Sequence, residues 1–493
     1  MIKTPALLLA LTMIISSVDA QKQNIFFNVK AYGAKGDGKT PDVNAINKTI
    51  AAAAKAGGGT VYFPAGNYLT GSIHLQNYIT LYIDNGATII AAPVNAANGY
   101  DEEEPGVQNE YEDAGHRHWH NSLIWGDSIH NVAIVGHGLI DGKNLYHDQT
   151  KGNKQSANKA IGLINCRNVI IKDISILHGG WFCILATGVD NFTLDNVKFD
   201  TDRDGVDVDC CHNVRISNCY VNSPYDDGIC LKSSYALGYA RSTENVTITN
   251  CQLSGYDEGT LLDGTYQRNG NSSPIGRIKF GTESNGGFKN IAITNCVFDY
   301  CHGLALESVD GALLEDVTIN NITMRDVVSD PIFIRLGARM RGPAGTPVGE
   351  IRRVIISNIV SYNSASNYAC TITGIPGHYV DDISLSNIKM YFKGGENKLQ
   401  QDSIPENEKN YPDPGMFGKN PAYGMFIRHA KNIKLSDIEF SFINEDGRPA
   451  FYLDDVKGIY MFHVMPQIKT GVDAMVTKDV SDMTIVQSPL IKN

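Results

Sequence analysis

Three aspartates are the residues of this chain whose type and spacing suit acid–base chemistry. Asp204 lies in the segment Thr-Asp-Arg-Asp-Gly-Val-Asp at 201–207, and Asp226 and Asp227 lie in Tyr-Asp-Asp-Gly at 225–228. When carboxyl groups crowd together, the pKa of one rises, so that it keeps a proton near neutral pH. Such a set supplies a general acid and a general base. We therefore predict that Asp204, Asp226 and Asp227 are catalytic.

A repeated sequence marker predicts how these aspartates are positioned. The marker is an Asn followed by alternating apolar residues, and it recurs along the chain at 131, 168, 191, 213, 245, 290, 316, 353, 382 and 432, with Asp or Arg replacing Asn at some positions. Asn191 and Asn213 are 22 residues apart, and so are Asp204 and Asp226. If each repeat is one coil of a solenoid, Asp204 and Asp226 stack on one face of neighbouring coils.

The segments between the markers predict an all-β solenoid, a parallel β-helix. They alternate with a period of two, are rich in Val, Ile and Thr, and are bounded by Gly, Asn and Asp. No helical pattern intervenes, which excludes alternating strands and helices. A β-propeller is disfavoured, because it needs a steadier period of roughly 40 residues or more, whereas markers here are as close as 22 residues. We expect coils about 4.8 Å apart, with ladders of Asn, Cys and Ile side chains inside.

One helix is predicted over 41–55, and we expect it to cap the N-terminal end of the solenoid. Pro41 precedes apolar residues at helical spacing, and three glycines at 57–59 end the pattern. The ten cysteines of the chain include four that follow an Asn, which suggests stacked buried thiols. A disulfide bond involving Cys210 or Cys211 stays open as an alternative.

The N-terminus and the net charge limit the class of protein to which this chain can belong. Residues 1–20 read as a signal peptide, with Lys3, an apolar run at 6–15 and small residues before Gln21. We expect a periplasmic or secreted protein whose residues 21–493 form a single domain. The net charge of −11 argues against nucleic acid and anionic membranes as partners. We expect a monomer.

Several motifs together resemble glycoside hydrolase family 28, which contains the polygalacturonases and their exo-acting and rhamnogalacturonan-cleaving relatives. The resemblance implies a right-handed, single-stranded parallel β-helix (a pectin-lyase-like solenoid) that hydrolyses glycosidic bonds with inversion, without cofactor or metal. The motifs are Phe-Asn-Val-Lys-Ala-Tyr-Gly-Ala-Lys-Gly-Asp-Gly at 27–38, Gly-Gly-Gly-Thr-Val-Tyr-Phe-Pro-Ala-Gly at 57–66, Arg-Asp-Gly-Val-Asp at 203–207 and Asp-Asp-Gly at 226–228.

The resemblance assigns a role to each aspartate. Asp226 would be the general acid, and Asp204 and Asp227 would hold and activate the water. Consecutive strand residues point to opposite faces, so Asp226 and Asp227 can share a groove only at a bend or bulge, which Gly228 makes plausible. We expect the neighbouring carboxylates Asp202, Asp207 and Asp209 to lie in turns or to support the site.

Two family motifs are displaced in this chain, and the departure concerns the residues that would bind substrate and not the fold. Arg-Ile-Lys at 277–279 lies one coil early, and a histidine, His302, lies where Arg-Ile-Lys belongs. We predict that Arg277 and Lys279 bind a sugar carboxylate, with a solvated strand face or pairing of Lys279 with Glu307 as alternatives.

Three further residues are predicted to bind substrate. His302 lies close to the acidic register, and Trp181 lies 13 residues past Asn168, where it would offer a platform for sugar stacking. Arg335 begins a basic run that could meet a polyanion. The alternating histidines at 116, 118 and 120 could bind a metal, but we expect an ordinary polar loop at the rim of the groove.

We expect an enzyme that cleaves pectic, galacturonic-acid-containing polysaccharide or oligosaccharide. Long excursions at 102–119, 256–273 and 394–421 would wall the groove and favour exo-action. Two alternatives stay open. One is a polysaccharide lyase on the same solenoid, with an Arg or Lys base and calcium, and the other is a non-catalytic glycan-binding solenoid.

Overall fold

The structure is a computed structural model, and it describes residues 26–94, 99–105, 111–112, 114–147, 156–398 and 404–491. The predicted signal peptide lies outside the described residues. Over these ranges, no helix combines the length and the apolar character needed to cross a membrane.

The described residues form 33 strands. The first sixteen are β1 (Phe26–Asn28), β2 (Asp37–Pro41), β3 (Gly59–Phe63), β4 (Gly66–Thr70), β5 (Ile73–His74), β6 (Ile79–Ile83), β7 (Ala87–Ala91), β8 (Ser122–Asp127), β9 (His130–Gly136), β10 (Leu139–Asp141), β11 (Lys159–Ile164), β12 (Arg167–Lys172), β13 (Ser175–Leu177), β14 (Phe182–Thr187), β15 (Asp190–Asp195) and β16 (Lys198–Asp200). The others are β17 (Asp204–Asp209), β18 (His212–Ser217), β19 (Tyr220–Asn222), β20 (Ile229–Ser233), β21 (Thr243–Thr249), β22 (Gln252–Ser254), β23 (Ile278–Ser284), β24 (Phe288–Asp299), β25 (Leu304–Ser308), β26 (Leu313–Arg325), β27 (Ile332–Leu336), β28 (Glu350–Ser364), β29 (Cys370–Thr373), β30 (Val380–Gly394), β31 (Met425–Asn444), β32 (Phe451–Pro466) and β33 (Met475–Val486).

These strands pair in parallel with the strand one coil away, in three ladders, which confirms the predicted parallel β-helix. Ladder 1 starts β1–β3–β6–β9–β12–β15–β18–β21–β24 and carries the sequence markers. Ladder 2 runs β5–β8–β11–β14–β17–β20–β23–β25–β27–β29–β31. Ladder 3 starts β2–β4–β7–β10–β13–β16–β19–β22. From β24 onward, single long strands serve ladders 1 and 3 together.

Aliphatic side chains from successive coils fill the interior, as the alternating pattern predicted. In β18, for example, Val214 and Ile216 are buried while Arg215 between them is exposed. Ile171, Leu194, Ile216 and Ile248 pair across successive coils and are all buried. Each coil therefore buries its apolar face only against its neighbours, which is the way solenoids gain stability.

The marker asparagines lie on the outer surface, so the predicted internal Asn ladder is wrong in its location. Asn168, Asn191 and Asn213 all have φ between 53° and 60°, a left-handed conformation in which Asn is several-fold enriched. Their exposed side-chain amides bond from coil to coil, Asn191 Nδ2 to Asn168 Oδ1 at 2.8 Å and Asn213 Nδ2 to Asn191 Oδ1 at 3.2 Å. The marker records a corner conformation and not a core position.

The predicted helix and the predicted thiols are confirmed with small changes. The helix spans Val43–Lys55, two residues later than predicted, because Pro41 ends β2; it buries Ile46 and Ile50 and packs on β1, β3 and β5. All ten cysteines are buried and free. Cys219, Cys251 and Cys296 stack with their thiols in contact. Cys166 is not part of this stack: it lies at another corner, where its thiol donates to the carbonyl oxygens of Gly126 and Ile164.

Asn213→Ala tests the role of the marker. We expect it to lower the free energy of unfolding by about 1–2 kcal/mol, because alanine is strained in the left-handed region. Asn213→Gly removes the same amide without that strain, so it should be the more stable of the two variants in urea unfolding. Equal stability of the two variants would show that the amide ladder, and not the backbone conformation, selects Asn at this corner.

Candidate active site

The three predicted catalytic carboxylates converge at one corner of ladder 2. Asp204 is the first residue of β17, and Asp226 and Asp227 lie in the turn that leads into β20. One carboxylate oxygen from each residue lies within 4.8 Å of the other two. Asp204 and Asp227 are buried, and the side chain of Asp226 is partly exposed. The structure therefore brings together the three side chains that the sequence singled out, and their catalytic role stays a prediction.

The register between them differs from the prediction. The coils pair at an offset of 22 residues at Asp200 and Asn222, but at an offset of 23 where Val206 faces Ile229. The offset of 23 places Asp204 opposite Asp227. The turn between Asn222 and Ile229 therefore contains one residue more than the equivalent turn of the preceding coil. Asp226 belongs to that turn, so Asp204 and Asp226 do not share a register.

The bend required by consecutive aspartates is therefore present. Gly205 and Gly228 let the two coils approach closely there, since a Cβ on Gly205 would lie 2.4 Å from the carbonyl oxygen of Gly228. The backbone N–H of Asp227 donates to Asp226 Oδ1 at 3.0 Å. The extra residue turns Asp226 and Asp227 toward the same space.

Two buried cations hold Asp227 in its ionised form. Arg277 Nε donates to Asp227 Oδ1 at 2.7 Å, and Lys279 Nζ lies 3.1 Å from Oδ2. Burial by itself raises the pKa of Asp227, but Lys279 and Arg277 outweigh it and hold the pKa well below the usual range. An ionised carboxylate at this position can accept a proton from water.

Asp204 and Asp226 show the opposite tendency. Burial and then the charge of Asp226 raise the pKa of Asp204 well above its usual value. Burial and then Asp227 also raise the pKa of Asp226, against the opposing charge of Arg203. The site thus combines one carboxylate that stays ionised with two that favour the protonated form, which is the division that acid–base catalysis needs.

Arg277 and Lys279 lie at the site, but their closest contacts are with the protein. Besides Asp227, Lys279 bonds to the hydroxyl of Tyr411 at 2.8 Å and lies 3.9 Å from Glu307. The suggested pairing of Lys279 with Glu307 is therefore present. Burial raises the pKa of Glu307 to about 7. The predicted contact of Arg277 and Lys279 with a sugar carboxylate stays a prediction.

His302 and Trp181 also lie at this corner. His302 is buried, its Nε2 lies 3.4 Å from Ser273 Oγ, and burial together with Arg277 lowers the pKa of the ring to about 3, so it is neutral. Phe182, and not Trp181, faces Asp204 across the coils. Trp181 is one residue earlier, and the guanidinium of Arg203 lies over its ring at 4.8 Å.

Arg335 has a different role from the predicted one. It is 1% exposed, and its guanidinium donates to the carbonyl oxygens of Gly374 and Glu406 at 2.8 and 2.9 Å. It also lies over the ring of Phe417 at 5.3 Å. These contacts fasten the segment around 404–417 to ladder 2 and leave Arg335 no open face toward a ligand.

A buried charge network beside the carboxylates was not predicted. Lys232 Nζ lies 3.1 Å from Glu283 and 3.8 Å from Asp207, and His116 lies 3.5 Å from Glu283 and 3.7 Å from Asp207. Asp207 supports the site, which was one of its two expected roles. The sequence signal for Lys232 is a charge within the apolar run of β20, whereas nothing local marks His116, which was expected in a polar rim loop.

Three chain excursions border the site, as their lengths suggested. His116 in the first packs on Phe182 with ring centroids 4.5 Å apart. Ser273 in the second meets His302, and Tyr411 in the third meets Lys279. Parts of the first and third excursions, 106–110, 113 and 399–403, lie outside the described residues. The described parts border the carboxylates on more than one side.

The three carboxylates also have the ligand spacing of a cation site. Oxygen ligands from aspartate suit hard divalent cations such as calcium or magnesium. This arrangement is what the lyase alternative would use, so the same geometry supports two chemistries. Chelation separates them, since hydrolysis by carboxylates alone needs no ion.

Comparisons with known proteins agree with the fold and with the motifs. Residues 26–179 match the family described as rhamnogalacturonase A/epimerase, pectate lyase-like. Residues 120–265 and 159–329 match the family described as right handed beta helix region. The solenoid is therefore a right-handed parallel β-helix.

The chain is similar to polygalacturonases of plants and bacteria. It is 27% identical to a probable polygalacturonase of Vitis vinifera, over 44% of this chain and 47% of that protein. It is 26% identical to an exo-poly-alpha-D-galacturonosidase of Dickeya chrysanthemi, over 55% of this chain and 40% of that protein. Both matches thus span about half or less of the relative.

A solved structure agrees with the same assignment of the fold. The family 28 exopolygalacturonase of Yersinia enterocolitica superposes with a TM-score of 0.59 at 15% identity, covering 94% of this chain and 78% of that one. The structure thus agrees with the fold, while the sequence matches make the chain a relative of the polygalacturonases, as the motifs indicated.

Arg277→Met tests the buried ion pair. We expect it to lower the free energy of unfolding by about 3–5 kcal/mol, because Asp227 keeps its charge with half of its compensation. The double variant Arg277→Met, Asp227→Asn should be more stable than Arg277→Met alone. Lys389→Met is the control, since the exposed pair of Lys389 with Glu439 should contribute only about 0–1 kcal/mol.

Stability should also depend on pH through Asp227. Because the pKa of Asp227 is lowered in the folded protein, its contribution is complete above the unfolded value of about 3.9 and is lost as the pH falls toward the folded value. Urea unfolding of the wild type and of Asp227→Asn between pH 3 and 6 measures this. The variant should show the shallower loss below about pH 4, and parallel curves would contradict the ion-pair assignment.

Proposed function

We propose that the chain is an exported, inverting glycoside hydrolase that acts on pectic, galacturonic-acid-containing polysaccharide or oligosaccharide. The observation that carries the proposal is the convergence of Asp204, Asp226 and Asp227 with opposed protonation preferences. The similarity to polygalacturonases supports the choice of substrate class. The reaction needs no cofactor or metal.

In this proposal Asp226 protonates the leaving oxygen, while Asp227 and Asp204 hold and activate the water. The raised pKa of Asp226 favours the form that can donate a proton, and its partial exposure places it at the open side of the site. Asp227 is kept ionised by Arg277 and Lys279 and is the stronger candidate for the base. Arg277 and Lys279 then act chiefly by positioning Asp227.

The stereochemical outcome rests on the resemblance and not on the spacing. Inverting enzymes place their two carboxyl groups roughly 6.5–9.5 Å apart to admit a water, and retaining ones about 5–5.5 Å apart. Here one oxygen of each carboxylate lies within 4.8 Å of one oxygen of the other two, which by itself does not select either geometry. The anomer of the first-formed product therefore has to be measured directly, and inversion is the outcome that we propose.

Exo-action is proposed because chain segments border the site on two sides. Segments carrying His116 and Tyr411 lie against β14 and β23, on opposite sides of the catalytic coils. A groove bordered in this way would receive a chain end more readily than the middle of a polymer. Release of monosaccharide or a single short product from a long polymer supports exo-action, whereas a ladder of intermediate oligomers contradicts it.

Asp226→Asn tests the catalytic proposal. Removing the general acid should lower the release of reducing sugar by about 10²–10⁴-fold, with binding of the oligosaccharide retained. The assay uses a panel of pectic oligosaccharides with the product anomer read by NMR. Asp316→Asn is the control, because Asp316 is an exposed marker residue of ladder 1 that pairs with Arg353, and Asn also suits its left-handed backbone.

The same assay separates the alternatives. An unsaturated product that absorbs in the ultraviolet and disappears with chelator indicates a lyase that uses the carboxylates as a cation site. Normal glycan binding by wild type and Asp226→Asn, with no sugar released by either, indicates a non-catalytic binding protein. Either result replaces the hydrolase proposal.

Export is proposed from residues 1–20. The test is the N-terminal sequence of the protein recovered from a bacterial host with an intact secretion pathway. A mature N-terminus at Gln21 in the periplasm or medium is the expected result, and an uncleaved chain retained inside the cell contradicts it.

A further inference from the structure

Arg203 differs from the other cations that surround the three carboxylates. Arg277, Lys279 and Lys232 are buried, and each is paired with an acidic side chain below the surface. Arg203 keeps 29% of its side chain exposed. It stands between two aspartates, in Asp202-Arg203-Asp204, where the family motif is Asn-Thr-Asp-Gly.

The contacts of Arg203 leave part of its guanidinium available. Nη2 lies 2.6 Å from Asp226 Oδ2, and the plane lies over the ring of Trp181 at 4.8 Å. Within the described residues, the Nε atom is buried and has no hydrogen-bond partner. A guanidinium carries five donors in a fixed fork that matches a carboxylate in two places. A buried donor that finds no acceptor among the described residues is free to bond a ligand.

The pairing of Arg203 with Asp226 opposes the proposed chemistry. An ion pair stabilises the ionised form of a carboxyl group, but Asp226 must carry a proton to act as the general acid. Movement of Arg203 away from Asp226 therefore favours the protonated form that cleaves the glycosidic bond. The carboxylate of a uronic acid has the same charge and shape as the side chain of Asp226, so it can take over the pairing.

We propose that Arg203 recognises the uronate carboxylate of the sugar next to the scissile bond, and that it exchanges Asp226 for this carboxylate when substrate binds. The inference rests on the proposed function and deepens it, because it names the residue that reads the acidic sugar. Trp181 keeps the guanidinium at the rim during the exchange, since its ring can hold the cation through its face.

The exchange makes catalysis depend on the substrate's own charge. When the uronate pairs with Arg203, Asp226 loses its counter-charge, so the pKa of Asp226 rises further and it holds a proton from solvent more firmly; no bond of the sugar changes in this step. A neutral sugar leaves Asp226 paired with Arg203, whose charge lowers the pKa of Asp226 and weakens its hold on the proton. Discrimination between acidic and neutral sugars should therefore act on kcat as well as on KM.

The test compares an oligogalacturonide with the same oligosaccharide after reduction of its carboxyl groups to alcohols. Wild type should prefer the acidic substrate by about 100-fold or more in kcat/KM, the size of a hydrogen-bonded charge pair. Arg203→Gln should reduce this preference to less than about 10-fold. It should lose activity on the acidic substrate while keeping or gaining activity on the neutral one.

The pH profile supplies a readout that a structural role would not move. In wild type, the alkaline limb of kcat should lie at higher pH than that of kcat/KM, because kcat reports the complex, in which Asp226 has been released. In Arg203→Gln the two limbs should coincide. Arg203→Lys keeps the charge but not the two-point contact, so it should show an intermediate preference and serves if Arg203→Gln does not fold.

Arg352→Gln is the matched control. Arg352 is also partly exposed and paired with a carboxylate, that of Glu315 at 3.0 Å, but it lies on ladder 1, whereas the three aspartates lie at a corner of ladder 2. Its removal should leave both the substrate preference and the two pH limbs unchanged.

The outcomes separate this inference from the proposed function. If wild type cleaves the acidic substrate and Arg203→Gln retains the full preference, the inference is overturned and the hydrolase proposal stands. Equal cleavage of both substrates by wild type also overturns it. If wild type cleaves neither substrate, the proposed function fails and the inference fails with it.

Discussion

Parallel backbone pairing between successive coils is the constraint on which the rest of the structure depends. Because each strand of ladder 2 bonds to the strand one coil away, side chains at equivalent positions are forced into contact, whatever their charge. Asp204 and Asp227 are opposed for this reason. One extra residue in the turn before β20 then adds Asp226 to the pair. The three carboxylates meet because the offset between two successive coils changes by one residue.

Stacked charges need compensation, and the next coils provide it. Arg277 and Lys279 come from the coil after Asp227, and Glu307 from the coil after that, so charges of opposite sign are layered along the solenoid. Beside them, Lys232, Glu283, Asp207 and His116 form a second layer of buried charge. Such groups are stable below the surface only when they are paired. The protonation states of the three aspartates are therefore set by charged side chains on neighbouring coils.

Much of the fold was predictable, because the solenoid repeats one local conformation. Asn213 and its equivalents recur since each coil needs a left-handed residue at the same corner, and a short-range pattern records that need. The pattern did not reveal whether the corner faces inward, so the Asn ladder was placed in the core. The register of Asp226 was also missed, because an offset of 22 residues between markers hides an insertion between them.

The sequence by itself determined the parallel β-helix, the cap helix and the identity of the three carboxylates, because these depend on periodicity and on motifs within one or two coils. Only the tertiary structure decided which cations pair with them. Arg335 was removed from the site by its bonds to the segment at 404–417, and His116 was brought into it from a distant loop. Contacts between a loop and a ladder far away in the chain leave no periodic trace, so only the folded chain reveals them.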